Sequence, residues 1–144
     1  MSPRVLGRVA FAAALIAGAE ARAQAPRELG WEVRVAERVE LAAGATAALT
    51  IALAVDRGLT VSKDADVIVD LDVEPGAAVK KKRLGRGDAV DPEADAPRFA
   101  VNVRGEAPGD HRIRVRVRFW LCGDKTCRPI DVRRVATVAV APPG

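Results

Sequence analysis

The sequence predicts an all-β domain, and three observations carry this prediction. Beyond residue 30, apolar residues alternate with polar ones in run after run, and clusters of Gly, Pro and Asp separate the runs. A period of two residues puts one face of each strand into a core, and the turn residues between runs favour antiparallel pairing. An apolar stretch behind two arginines at the N-terminus indicates export. We therefore predict an immunoglobulin-like antiparallel β-sandwich preceded by a cleaved signal peptide.

Residues 1–23 have the features of a secretory signal peptide. Two arginines precede the apolar run 9–19, and Ala21-Arg22-Ala23 forms a small-x-small cleavage site. The apolar run is too short to span a bilayer, and no later stretch is long enough, so no transmembrane segment is expected in the mature chain. Residues 24–29 form a short N-terminal segment of the mature protein, which is expected in the periplasm.

Removal of the signal peptide lowers the net charge. The chain has 23 Lys and Arg against 19 Asp and Glu. The signal contains three arginines and one glutamate, which leaves 20 basic and 18 acidic residues and a net charge of +2. This balance gives no reason to expect a general polyanion binder, and export argues against a nucleic-acid partner.

Six alternating runs predict the strands of the sandwich, which is assigned to residues 30–141. In chain order they are 31–35, 47–55, 67–73, 99–103, 113–121 and 130–140. The last run changes phase near Arg133 and Arg134, as a β-bulge would. Segment 75–97 is rich in charge and glycine, and we expect a charged loop there with one short strand around 77–84.

The only two cysteines, Cys122 and Cys127, flank the four turn-forming residues 123–126. A strand enters this segment and another leaves it, so the cysteines are expected at the neck of a β-hairpin. Directly opposed residues there have Cα atoms about 4.5–5.5 Å apart, which is within disulfide range. Because an exported protein meets an oxidising compartment, we expect a bond between the two cysteines.

This disulfide has two possible roles, a structural staple or a redox pair. As a staple it closes a loop of about six residues, which contributes about 2 kcal/mol in the chain-entropy model. As a redox pair it would sit at an exposed tip, where Lys125 and Arg128 favour the thiolate and Trp120, on the same strand face as Cys122, shields the sulfurs. A zinc site would need four ligands, and only His111 could add to the cysteines. No metal or cofactor is predicted.

The cysteine hairpin resembles part of a known family. In segment 115–129, an alternating strand leads to a cysteine, four turn residues, and a second cysteine followed closely by Pro129. This arrangement resembles the end of the N-terminal periplasmic domain of the thiol:disulfide interchange protein DsbD. A weaker resemblance extends back through 47–61, so that most of 30–141 is covered, but only the hairpin carries a specific motif.

The resemblance implies a thiol:disulfide oxidoreductase domain that transfers electrons. In that family the hairpin dithiol receives electrons from a membrane-embedded donor and passes them to periplasmic thioredoxin-fold proteins. Cys122 and Cys127 match the reactive positions, and Pro129 belongs to the residues expected to shield or tune them. The family's aromatic cap loop is expected to be missing or rebuilt, because no aromatic residue lies between Trp31 and Phe99. The alternative is a non-catalytic secreted module that binds a protein and uses the disulfide as a structural clip.

Four arginines alternate with apolar residues along the longest predicted strand. They are Arg112, Arg114, Arg116 and Arg118. The pattern favours the solvated outer face of a half-buried strand. The alternative is an anion-binding surface for a phospholipid, an acidic polysaccharide or an acidic protein.

Overall fold

The computed structural model describes residues 30–143, so the predicted signal peptide 1–23 and the N-terminal segment 24–29 lie outside the described residues. In this part of the chain the secondary structure consists of β-strands and one 3-10 turn at Arg86–Asp88. The strands are β1 (Trp31–Val35), β2 (Arg38–Ala42), β3 (Thr46–Val55), β4 (Thr60–Val61), β5 (Ile68–Val73), β6 (Ala77–Val79), β7 (Arg83–Leu84), β8 (Arg98–Gly105), β9 (Gly109–Cys122) and β10 (Cys127–Ala141). Between residues 30 and 143 there is no helix with the length and apolarity needed to cross a membrane.

The strands form two sheets with the strand order of an immunoglobulin domain. One sheet runs β1-β3-β8-β6, and the other runs β2-β10-β9-β5-β7, with β4 also paired to β9. Taken in chain order, these correspond to the A-B-E-D and G-F-C sheets of the immunoglobulin fold. The pairing is antiparallel except between β2 and β10, which run parallel. The predicted immunoglobulin-like β-sandwich is thereby confirmed.

The core lies between the two sheets and is built from the alternate apolar positions of the strands. Phe99 of β8, Ile51 of β3 and Ile113 of β9 are fully buried. Trp31 packs edge-to-face against Phe119, with ring centroids 6.1 Å apart, a favourable arrangement for two aromatic rings. No polar or charged side chain between residues 30 and 143 is buried with them. Burial of apolar surface is therefore what holds the sheets together.

Strand β10 runs straight through Arg133 and Arg134, so the predicted bulge is wrong. Its register with β9 is unbroken from the cysteine pair to Val140. Val135 consequently faces outward and is 55% exposed. Arg134 takes an inward-facing position and still reaches solvent, because β2 borders β10 only from Thr137 onward. An uncovered strand edge thus tolerates a charged residue that a covered strand would exclude.

The charged segment 75–97 contains two short strands where one was expected. Strand β6 joins the first sheet beside β8, and β7 joins the second beside β5. The chain therefore crosses from one sheet to the other three times between β5 and β8. Sequence periodicity could not separate these strands, since each is only two or three residues long.

Arg86 fastens the rest of this segment to β4. Its guanidinium donates hydrogen bonds to the carbonyls of Pro92 (2.8 Å) and Ala94 (3.0 Å) on one side. On the other side it donates to the carbonyls of Val61 (2.7 Å) and Ser62 (3.2 Å). One cation therefore joins two loop carbonyls to two carbonyls at the end of a strand.

We expect Arg86→Met to lower the free energy of unfolding by about 2 kcal/mol, because it removes four hydrogen bonds from a charged donor. The amide of Val61, which donates to Asp95, should also exchange with solvent faster. Urea denaturation and amide hydrogen exchange measure the two effects. The matched control is Arg57→Met in an exposed turn. Equal losses in the two variants would contradict the role assigned to Arg86.

Candidate functional site

The two cysteines form a disulfide at the neck of the β9–β10 hairpin, as predicted. Cys122 ends β9, Cys127 begins β10, and the two are directly opposed with Cα atoms 4.1 Å apart. Just beyond them the Gly123 amide donates to the Thr126 carbonyl at 2.9 Å. The disulfide therefore joins two residues that the hairpin backbone already holds opposite each other.

One cysteine of the pair is more accessible than the other. Cys127 is exposed, whereas Cys122 is half-buried and has Thr60 of β4 beside it in the sheet. On the far side of β4, the backbone carbonyl of Asp95 accepts a hydrogen bond from the Val61 amide at 2.8 Å. The segment that Arg86 fastens thus lies along the outer edge of β4 and leaves Cys127 open to solvent.

Trp120 and Pro129 lie next to the disulfide on the same outward face of the sheet. They are directly opposed to each other, two residues from the cysteine pair on each strand. Trp120 is 43% exposed, and with Pro129 and Ile68 it lines a shallow groove of about 390 Å³. Together with the disulfide these side chains form an apolar surface at one end of the sheet.

The two basic residues expected near the cysteines occupy different places. Lys125 is exposed in the turn between the strands. Arg128 alternates with Cys127 and Pro129 along β10, so its side chain lies on the opposite face of the sheet, in a groove with Trp31. The structure thus brings Trp120 and Pro129 onto the face of the disulfide, and it does not bring Arg128 there.

The arginine stripe of β9 is largely paired with carboxylates from the neighbouring strands. The ion pairs are Arg114–Asp72 (3.6 Å), Arg116–Asp131 (2.7 Å) and Arg118–Asp70 (2.7 Å). Arg112 lies at the other end of β9, where its amide donates to the Glu74 carboxylate at 3.0 Å. The aspartates on β5 and β10 alternate with apolar residues just as the arginines do, which is a sequence signal that they share the outward face. Which arginine each aspartate pairs with follows only from the order and register of the strands. The arrangement agrees with a solvated outer face.

These ion pairs hold two carboxyl groups in the charged form. The Arg116 hydrogen bonds lower the pKa of Asp131 below its usual range. Hydrogen bonds from Arg83 and then from Arg118 lower the pKa of Asp70 in the same way. A charged partner that favours the ionised carboxylate is the cause in both cases.

The remaining potential ligand, His111, lies far along β9 from the cysteines. Its Nε2 is 2.6 Å from the Ala107 carbonyl, and its ring covers Gly76, whose φ is +108°. A side chain at position 76 would meet this ring, so the turn requires glycine. Within residues 30–143, no three His, Cys, Asp or Glu side chains come together as a metal site would require.

The ion pairs on the outer face predict a pH-dependent contribution to stability. Because the pKa of Asp131 is lowered in the folded state, its contribution is present above about pH 4, the unfolded value, and disappears as the pH falls through the folded value. We expect Asp131→Asn to melt at a lower temperature than wild type at pH 7, with the difference shrinking as the pH falls below about 4. Thermal melts from pH 2 to 7 test this, with Asp64→Asn, an exposed aspartate, as the control. A pH-independent difference would rule out the ion pair as its cause.

The position of the disulfide predicts that the protein folds without it. The double variant Cys122→Ala, Cys127→Ala should lose no more than about 2 kcal/mol of unfolding free energy, the value for a six-residue loop. Urea denaturation of the variant and of the oxidised wild type gives the difference. An unfolded double variant would mean that the disulfide is a required staple.

Comparison with solved structures finds similarity in fold. The chain is similar in structure to AggA, the major subunit of aggregative adherence fimbriae type I from Escherichia coli. The TM-score is 0.39 at 7% sequence identity, over 77% of this chain and 95% of that chain. No protein-family model matches the sequence, and no curated protein matches it.

Proposed function

We propose that this protein is an exported thiol–disulfide exchange domain, in which Cys122 and Cys127 pass reducing equivalents to a thioredoxin-fold partner in the periplasm. The observation that carries the proposal is a disulfide whose Cys127 is exposed, at the neck of a hairpin that backbone pairing already fixes. A bond in that place contributes little as a staple. Exchange, in contrast, depends on an accessible sulfur. The resemblance of segment 115–129 to the DsbD hairpin supports the same function.

The difference in exposure gives the two cysteines different roles in the proposed reaction. The Cys127 thiol loses its proton, and the thiolate attacks the partner's disulfide, forming a mixed disulfide and releasing one partner thiolate. The Cys122 thiolate then attacks the sulfur of Cys127, which frees the second partner thiolate and restores the Cys122–Cys127 disulfide. The partner gains two electrons and takes up two protons, and this domain is oxidised by the same amount. A membrane-embedded dithiol donor would reduce it again by the same steps in reverse.

The surface around the sulfurs is suited to brief contact with a partner protein. Trp120 and Pro129 supply exposed apolar area directly beside the reactive pair. Arg118 and Asp131, each in an ion pair, line the same groove. A small apolar centre with a charged rim is typical of protein interfaces.

The same observations also support a second candidate, a protein-binding module without redox chemistry. Trp120 lies in a groove on the outward face of the sheet and is 43% exposed, which is a large exposure for an aromatic side chain of this size. Aromatic side chains commonly anchor protein interfaces. In this function the disulfide clips the hairpin that presents Trp120.

The redox potential separates the two candidates. Equilibration of the purified mature protein against glutathione buffers should give a potential more oxidising than about −300 mV, the usual upper limit for structural disulfides. A lower potential would remove the exchange function and leave the binding module.

Single cysteine variants test the order of attack. With thioredoxin as the probe, activated as a mixed disulfide with a thionitrobenzoate group, Cys122→Ala keeps the exposed thiol and should form the protein–protein disulfide at least tenfold faster than Cys127→Ala. Release of thionitrobenzoate gives the rate, and a non-reducing gel shows the adduct. Equal rates would contradict Cys127 as the attacking residue, and no adduct from either variant would contradict exchange itself.

A further inference from the structure

Part of β10 has no neighbouring strand on one side. Strand β2 pairs with β10 only along Thr137–Ala141. The preceding strand, β1, pairs with β3 in the opposite sheet, so it does not extend this pairing. Among the described residues, none forms a strand beside the outer edge of β10 between Pro129 and Ala136. The vacant position is about 26 Å long, at about 3.3 Å per residue.

The hydrogen-bond pattern of the hairpin shows which backbone groups face this position. The Gly123 amide donates to the Thr126 carbonyl, and hydrogen-bonded pairs alternate with non-bonded pairs along an antiparallel ladder. The backbone groups of even-numbered residues in β10 therefore bond to β9. Those of odd-numbered residues point away from β9. Thr137 agrees, since its amide donates to the Glu37 carbonyl just before β2 at 2.8 Å. The groups that point to the vacant position are the N–H and C=O of Asp131, Arg133 and Val135, and the C=O of Pro129.

The surroundings of this edge are basic. Arg133 lies on the outer face and Arg134 on the inner one, and no carboxylate of residues 30–143 forms an ion pair with either. The Arg134 guanidinium donates to the Arg133 carbonyl at 3.0 Å, so it lies over the edge and must turn aside for that carbonyl to accept a hydrogen bond from an added strand. Asp131 is already paired with Arg116. On the inner side a groove of about 390 Å³ extends along β10 to Trp31.

A second copy of the protein fits this position poorly. Antiparallel pairing of two β10 strands that sets Asp131 of one copy opposite Arg133 of the other has complementary charges. The same register would place Cys127 of the second copy beside Thr137. Glu37 of the first copy already lies there, hydrogen-bonded to the Thr137 amide. A peptide segment with no hairpin attached avoids this collision.

We propose that the edge of β10 between Pro129 and Ala136 binds an extended acidic peptide segment as an additional strand. Backbone hydrogen bonds to Asp131, Arg133 and Val135 hold such a segment, as in other cases of strand addition. Neighbouring carboxylates on the segment face Arg133 on one side of the sheet and Arg134 on the other. This site shares Pro129 and Asp131 with the surface beside the disulfide, but its backbone hydrogen bonds do not depend on the exchange function.

Hydrogen exchange with a defined probe tests the site directly. The probe is the peptide acetyl-Val-Glu-Glu-Val-Glu-Glu-Val-amide, and the same peptide with Lys in place of Glu is its control. At saturation the acidic probe should slow exchange of the Asp131, Arg133 and Val135 amides at least tenfold. The Val132 amide, which already bonds to β9, should not change. Slowing at even-numbered amides, or equal effects of both peptides, would overturn the proposal.

Edge variants provide the second test, with fluorescence anisotropy of the labelled probe. Val135→Pro removes one edge N–H and leaves the β9 ladder intact, so binding should weaken at least tenfold, whereas Val135→Ala should stay within threefold. Arg134→Glu should also weaken binding at least tenfold, and Lys125→Glu, with the same charge change in the turn, should not. Unchanged binding by Arg134→Glu would overturn the proposal even if Val135→Pro does not fold. A concentration-dependent dimer of wild type that Arg134→Glu abolishes would assign the edge to a second copy and overturn it as well.

Discussion

The register between β9 and β10 is the constraint on which the rest of the structure depends. These two longest strands are opposed without interruption from the cysteine pair to Gly109 and Val140. The register selects which apolar residues enter the core and places the two cysteines opposite each other. It also sets Asp131 opposite Arg118 and within ion-pair distance of Arg116. A slip of one residue would turn every side chain of β10 to the other face. The core residues Ile130 and Val132 therefore fix the geometry of the disulfide as well.

The longer strands could be predicted from sequence because each carries its own signal. Apolar alternation identified β3, β5, β8 and β9, and burial of one face is the physical reason. Strand β2 has the same alternation at Val39 and Leu41, but its parallel place beside β10 depends on contacts almost a hundred residues away. The phase change at Arg134 misled the prediction because periodicity assumes a covered face. Whether a face is covered depends on the neighbouring strands, and the local sequence pattern does not show which strands those are.

The same distinction applies to the candidate site. The disulfide could be predicted because the turn between the cysteines is short and the geometry is local. The ion pairs that cover the arginine stripe join three separate strands, so they follow from the sheet order and could not be assigned before it was known. Arg86 is a further example, because its four carbonyl partners come from two distant segments. Nothing in the local sequence distinguishes it from other loop arginines.

Loop length links the stability of the hairpin to its redox behaviour. In a thermodynamic cycle, the free energy by which a disulfide stabilises the fold equals the free energy by which folding favours the disulfide over the dithiol. About 2 kcal/mol from a six-residue loop corresponds to a shift of only about 40 mV for a two-electron couple. Folding therefore makes the Cys122–Cys127 bond only slightly harder to reduce than the same bond in the unfolded chain. A disulfide between distant strands would close a larger loop, gain more from folding and be harder to reduce. The small loop thus has two consequences with one physical cause. The disulfide stabilises the fold only weakly, and folding does little to oppose its reduction.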